Sequence, residues 1–236
     1  MWFDPTSNLV VYDTSDQRIA EKIPSARKLH NGYVALPATL YNVQVLRYLG
    51  HTVPPVMNYD YDWPRNIRLI PEPFHVQKTT SNFLVANPRA FVFNDLGSGK
   101  TLSALWAADY IMRQHNGLKC LIVAPLSTLR RVWADAIFQN FLGRRKCTVL
   151  YGDAATRKRL LSLPSDFYVV NYDGLKILQA ELNARTDIRM VIVDEASAYK
   201  DRTTMRHRLA RSVLANKDYL WLMTGTPTPN GPQAAY

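Results

Sequence analysis

Two stretches of this 236-residue chain place chemically active side chains at spacings suited to phosphate transfer. Asn94-Asp95-Leu96-Gly97-Ser98-Gly99-Lys100-Thr101 follows the apolar run Arg89-Ala90-Phe91-Val92-Phe93. Small residues there let backbone N–H groups turn toward phosphate oxygens, and a helix beginning behind them adds its positive dipole end. Lys100 has the reach for terminal phosphates, and the Thr101 hydroxyl suits magnesium. Val193-Asp194-Glu195-Ala196 ends a second apolar run, Met190-Val191-Ile192-Val193, in adjacent carboxylates. One suits a metal and its neighbour can orient an attacking water. In this order, each after a strand, the two stretches predict a nucleoside triphosphatase. Asn94 stands where the strict GxxxxGK[ST] pattern has glycine. Asparagine tolerates left-handed backbone better than most residues, so the loop is expected to close.

Such a site needs strands to carry it. From about Phe74 onward the pattern alternates. Strand candidates are Ala90–Phe93, Lys119–Ala124, Cys147–Tyr151, Phe167–Asn171, Met190–Asp194 and Tyr219–Thr224. They are nearly continuous apolar runs, as expected for strands buried on both faces. Helices are predicted over Thr101–Gln114, Ser127–Phe141 and Thr203–Leu214, each starting near a Ser or Thr. The class is therefore α/β, a mainly parallel sheet flanked by helices, with nucleotide at the carboxyl ends of the strands. Residues 1–50 read as a small α+β module: strands Leu9–Tyr12 and Tyr33–Leu36, helices Ser15–Lys22 and Thr39–Leu49. In the last helix Leu40, Val43, Leu46 and Tyr48 are spaced for a buried stripe. Residues 51–72, rich in proline and aromatics, are expected to be an extended connector, with Tyr59, Tyr61 and Trp63 packed on a neighbouring domain.

A 47% hydrophobic content argues for a packed globule rather than disorder. No apolar run is long enough to cross a bilayer and no secretory signal begins the chain, so no membrane partner is expected. Cys120 and Cys147 lie in strand-like runs and read as reduced core residues, which points to a cytoplasmic protein. The net charge of +10 lies almost wholly beyond residue 70. Clusters at Arg130-Arg131, Arg144-Arg145-Lys146, Arg157-Lys158-Arg159 and Arg202–Arg211 suggest a polyanionic partner, namely nucleic acid.

As a series, these stretches resemble the motifs of the first RecA-like domain of a superfamily 2 DEAD/DEAH-type helicase, in its Swi/Snf-like branch. Phe74-His75-Val76-Gln77 resembles the adenine-reading element, and Asn94–Thr101 is similar to motif I, which in that branch commonly lacks the first glycine. Leu121–Leu129, with Trp133 following, resembles motif Ia, and Val169-Val170-Asn171-Tyr172-Asp173 resembles the element after it. Asp194-Glu195-Ala196-Ser197 resembles motif II, and Leu222-Met223-Thr224-Gly225-Thr226-Pro227 motif III. The likeness covers about residues 73–230, and residues 73–236 are read as the RecA-like ATP-binding domain.

The resemblance implies ATP and Mg2+ as cofactors. It assigns Gln77 to the adenine edge and Gly97, Ser98, Gly99 and Lys100 to the phosphates. Thr101 and Asp194 would hold magnesium, and Glu195 would position the hydrolytic water. Pro125, Leu126, Ser127, Thr128, Asn171 and Tyr172 would meet nucleic-acid phosphate, expected to be double-stranded or branched DNA. Ser197, Thr224 and Thr226 would couple nucleotide state to the DNA surface, although serine at 197 replaces the usual His or Asp. Motifs V and VI are not found after Pro227, so a second RecA-like domain of a longer polypeptide is an expected partner. Arg18–Arg27, Gly32–Pro37 and Asn42–Leu46 are similar to the small module of HepA-related annealing helicases, associated with recognising DNA structure. A motor that translocates without unwinding, and a non-enzymatic binding module, remain as alternatives.

Overall fold

In a computed structural model of the chain, the structure describes residues 1–4, 6–13, 16–30, 32–64, 72–196 and 212–225. The N-terminal module comprises β1 (Trp2–Asp4), β2 (Leu9–Asp13), α1 (Gln17–Lys22), β3 (Arg27–Lys28), β4 (Tyr33–Pro37) and α2 (Leu40–Tyr48). Its strands form an antiparallel sheet in the order β1-β2-β4-β3. Each helix begins where a short polar side chain caps an amide. Asp16 accepts from Arg18 N, and Thr39 accepts from Asn42 N. In α2 Leu40, Val43 and Leu46 are buried as expected, but Tyr48 is 86% exposed. It lies two residues past Leu46, about 200° further round the helix, and so leaves the stripe.

The connector is not simply extended. It carries the short helix α3 (Met57–Asp60), with Met57 buried. Tyr61 packs edge-on against Tyr110, Trp63 edge-on against Trp106, and the exposed Tyr59 meets Phe3. The next element, α4 (His75–Ala86), starts at the four-residue stretch read as an adenine contact.

The large sheet is formed by β5 (Arg89–Val92), β6 (Lys119–Ala124), β7 (Cys147–Val149), β8 (Phe167–Asn171), β9 (Ile188–Asp194) and β10 (Tyr219–Met223). Among the described residues it has six strands, all paired parallel, in the order β5-β10-β9-β6-β8-β7. This is the expected α/β class, and the expected strands stand with ends shifted by a residue or two. The crossovers are α5 (Lys100–Gln114), α6 (Asp135–Phe141), α7 (Ala154–Ser162), α8 (Tyr172–Ile177) and α9 (Gln179–Ala184). The helix expected over Thr203–Leu214 falls mostly outside the described residues.

Successive strand residues point to opposite faces, and both faces are covered. Cys120, Ile122, Phe167, Val169, Met190, Ile192, Trp221 and Met223 join one apolar cluster with α4, α5, α6 and the N-terminal module. Leu121, Val123, Tyr168, Val170, Val191 and Val193 join a second with Leu161, Leu175, Leu178 and Leu182 of the later helices. That double burial explains why the strands read as continuous apolar runs. Cys120 and Cys147 are both free thiols, and burial pushes the Cys147 thiol up to about 12. Among the described residues, no helix is long and apolar enough to cross a membrane.

Candidate active site

The loop after β5 closes by a route other than the expected one. Asn94 is absent from the residues with left-handed backbone. Its Nδ2 instead donates to Thr80 Oγ1 of α4 at 2.8 Å, and its carbonyl accepts from Lys100 Nζ at 2.7 Å. Lys100 Nζ also donates to the Asp95 carbonyl at 2.9 Å. The left-handed positions are Gly97 and Gly99, with φ of 80° and 78°. At Gly99 the conformation favours glycine, and a Cβ would lie 2.0 Å from Gln77 Nε2, so any larger residue would also displace the Gln77 amide. Helix α5 then starts at Lys100, aiming its first amides and dipole at the loop, with Thr101 in its first turn.

Gln77 is buried, and its Oε1 accepts the Phe74 N–H at 2.9 Å, closing the start of α4. Small residues bring α4 and α5 together, and Ser81 Oγ bonds the carbonyls of Gln77 and Ser103. This places the Gln77 amide against the phosphate loop.

The acidic pair ends β9, and only β10 separates β9 from β5. Three strand ends therefore meet. Thr224, just past β10, donates from Oγ1 to Glu195 Oε2 at 3.2 Å and from its N–H to the Val92 carbonyl at 3.1 Å. A Cβ on Gly225 would meet Leu96 and sit 3.6 Å from Lys100 Nζ. Both oxygens of Asp194 are held: Oδ1 accepts the Glu195 N–H at 3.1 Å, and Oδ2 accepts the Trp133 indole N–H at 3.0 Å. Burial pushes the Asp194 carboxyl above its ordinary range, and the Glu195 charge adds to this. The Trp133 and Glu195 N–H groups and the Lys100 charge oppose it, so Lys100 and Asp194 feel one another electrostatically. Glu195 has φ of 51°, left-handed for a non-glycine, a conformation that costs about 1–2 kcal/mol and clusters at functional sites. The Tyr172 hydroxyl donates to the carbonyls of both Asp194 and Glu195. Ser197 and Thr226 lie outside the described residues.

The residues expected to face nucleic acid lie at the same carboxyl edge of the sheet. Pro125 follows β6, and Leu126–Thr128 makes a tight turn in which Thr128 Oγ1 donates to the Pro125 carbonyl at 2.9 Å. Leu126 and Ser127 are exposed. Asn171 is buried, and its Oδ1 accepts from Arg157 at 2.9 Å. The single helix expected over Ser127–Phe141 is in fact that turn, a π-helical segment at Leu129–Ala134, and α6.

Two basic clusters are partly tied into the fold, while Arg144, Lys146, Lys158 and Arg159 stay exposed. Arg144 and Arg145 both bond the fully buried Asp109. Arg157 is buried, donating to the Leu150 and Gly152 carbonyls, and Lys158 pairs with Glu181. Sequence position alone does not reveal this, because the acids involved are distant in the chain. Arg130 and Arg131 are exposed, and Arg202–Arg211 lies outside the described residues. Sequence reasoning singled out Trp133 without a role and assigned Tyr172 to nucleic acid. It did not foresee that both would bond the acidic pair.

The residues present fit a magnesium-bound nucleotide. Ser98 Oγ is buried inside the loop and, among the described residues, has no hydrogen-bond partner. Two glycines, a helix start and a lysine are donors of the kind phosphate takes, and the acidic pair presents oxygens of the kind a metal takes. Magnesium characteristically takes one or two carboxylates and completes its shell with phosphate and water.

A family model described as the SNF2-related domain matches residues 75–236, beginning at the first residue of α4. The chain is 27% identical over 165 residues to the SWI/SNF-related matrix-associated actin-dependent regulator of chromatin subfamily A-like protein 1 of Xenopus tropicalis. The protein of the same name from Bos taurus is 28% identical over 161 residues. Each match covers 68% of this chain and 16% of the relative, so the chain aligns with a small part of those proteins. Among solved structures it is similar in fold to the Sulfolobus solfataricus SWI2/SNF2 ATPase core in complex with dsDNA. That likeness has a TM-score of 0.57 at 20% identity, over 72% of this chain and 36% of the other.

Proposed function

The chain belongs to the SNF2-related domain family, and from that premise we propose that it is the first nucleotide-binding lobe of an ATP-driven motor acting on double-stranded DNA. One observation carries the reading: the lysine loop, the acidic pair and Thr224 converge at the carboxyl ends of three neighbouring strands. Lys100 leaves its loop carbonyls for the terminal phosphates, and Ser98 Oγ finds there the partner it lacks. Gln77, with Oε1 engaged by Phe74, offers its Nε2 to the adenine edge. Thr101 and Asp194 would hold a magnesium ion, which when bound would neutralise phosphate charge. Glu195, kept in place by Thr224, orients the attacking water. A second RecA-like lobe in a longer polypeptide would complete the cleft.

In that longer polypeptide, Glu195→Gln is expected to bind ATP within about threefold of wild type and to lose at least ~100-fold in hydrolysis rate. Wild-type turnover in a steady-state phosphate-release assay removes Glu195 from the mechanism.

DNA contact is assigned to Leu126–Thr128 and the exposed Arg130 and Arg131 beyond them. Such binding is mainly to phosphate and falls with salt. Replacing both arginines by alanine is expected to weaken duplex binding about tenfold and to flatten the slope of log affinity against log salt by roughly 2. An unchanged slope in fluorescence anisotropy places the DNA elsewhere.

A further inference from the structure

The fully buried Trp133 lies between the turn assigned to DNA and the carboxylate assigned to magnesium. We propose that Trp133 is a positioning residue for Asp194, through which the segment after β6 sets the geometry of the metal site. This rests on the nucleotide reading above, since it gives Asp194 a metal to hold.

The indole N–H is directed at a carboxylate, which sets this tryptophan apart from its buried counterparts. Trp106 donates to the amide oxygen of Asn140 at 3.3 Å, and Trp221 to the carbonyl of Asn87 at 3.1 Å. Both of those acceptors are neutral. With Trp133 on Oδ2 and the Glu195 amide on Oδ1, rotation of the Asp194 carboxylate is stopped from both ends. The outward lone pairs then keep one direction, which is what an octahedral ion demands of its ligand. Charged hydrogen bonds of this kind are the stronger class.

The backbone carrying Trp133 is also irregular. Leu129–Ala134 is π-helical, and Asp135 N–H reaches back five residues to the Arg130 carbonyl. Wide turns of this kind insert one residue and recur at functional sites. Here Leu129 and Trp133 turn inward while Arg130, Arg131 and Val132 face solvent, within five residues of Thr128. Movement of the exposed side of this turn is therefore transmitted to Asp194 through one rigid ring. Tyr172, at the end of β8, ties the backbone of the same pair from another strand.

The test uses this chain and a fluorescent ATP analogue, titrated in magnesium and in EDTA. In Trp133→Phe, which keeps a ring but loses the donor, affinity in EDTA is expected to stay within about twofold of wild type. The strengthening by magnesium is expected to fall about tenfold, worth ~1.4 kcal/mol. A purely structural ring would weaken both titrations together, and that result, or an unchanged magnesium effect, overturns the proposal. Asp194→Asn separates the two levels. If wild type shows magnesium strengthening that Asp194→Asn removes and Trp133→Phe keeps, the nucleotide reading stands and this inference fails. If wild type binds no nucleotide in magnesium, the nucleotide reading fails first. Should Trp133→Phe not fold, wild-type chain labelled with 15N-tryptophan decides. One of its five indole N–H signals is expected to move on adding magnesium and ADP but not ADP in EDTA, and no movement overturns the proposal.

Discussion

Lys100→Ala is expected to abolish ATP binding while leaving the fold intact. Among the described residues Lys100 Nζ makes two hydrogen bonds, both to carbonyls of its own loop, Asn94 and Asp95. It is partly accessible, so water replaces the ammonium on those carbonyls when the side chain is removed. Phosphate has no such substitute. Hydrogen bonds to charged groups contribute about 1.5–3 kcal/mol each, so losing two to the terminal phosphates weakens binding by at least ~100-fold. Lys100→Arg is not expected to rescue it, because a planar guanidinium does not reproduce the compact ammonium with its three rotatable donors. Titration with a fluorescent ATP analogue, beside thermal unfolding monitored by circular dichroism, checks both halves. Wild-type affinity in Lys100→Ala would place the phosphates elsewhere.

The largest expected loss of stability lies far from that loop, at Asp109. This carboxylate is fully buried in α5 and receives Tyr61 OH at 2.9 Å, Arg113 Nε at 3.1 Å, Arg144 Nη2 at 2.9 Å and Arg145 Nε at 2.7 Å. The Arg113 guanidinium also lies 4.8 Å above the Tyr61 ring. Tyr110 reaches Asp60 of α3 beside it. The connector, α5 and the segment after α6 thus meet at one acid. Asp109→Ala leaves three guanidiniums together with their counter-charge gone. Breaking a buried ion pair from one side costs about 3–5 kcal/mol. For a chain of this size that lowers the unfolding midpoint by roughly 6–20 °C. A midpoint within about 2 °C of wild type would show that the cluster contributes little.

That cluster also shows why charge was the least legible feature of the sequence. Arg144-Arg145-Lys146 and Arg157-Lys158-Arg159 read as surface for a polyanion because basic clusters recur in one domain with a nucleotide site. Their partners arrive from elsewhere: Asp109 from a helix 35 residues earlier for Arg144, and for Arg157 the neutral Asn171 amide at the end of β8 and the Leu150 carbonyl just past β7. Tyr48 misled for a local reason, since an aromatic residue near a stripe need not lie on it. Asn94 departs from the loop pattern in sequence, yet closure comes from its side chain on Thr80, a partner 14 residues away.

What the amino-acid order determines by itself here is local. Apolar runs of strand length, glycines next to a lysine, and paired acids after a strand depend only on neighbours along the chain, and they specify the α/β class and the two halves of the site. Strand order is another matter. That β10, made last among the described strands, slides between β5 and β9 is decided by which faces bury best together, and nothing in Tyr219–Met223 announces it. Yet that insertion puts Thr224 on Glu195 and Gly225 beside Lys100. The indole of Trp133 likewise meets Asp194 across 61 residues of chain. Contacts between distant segments form only when the sheet closes, so they belong to the tertiary structure alone.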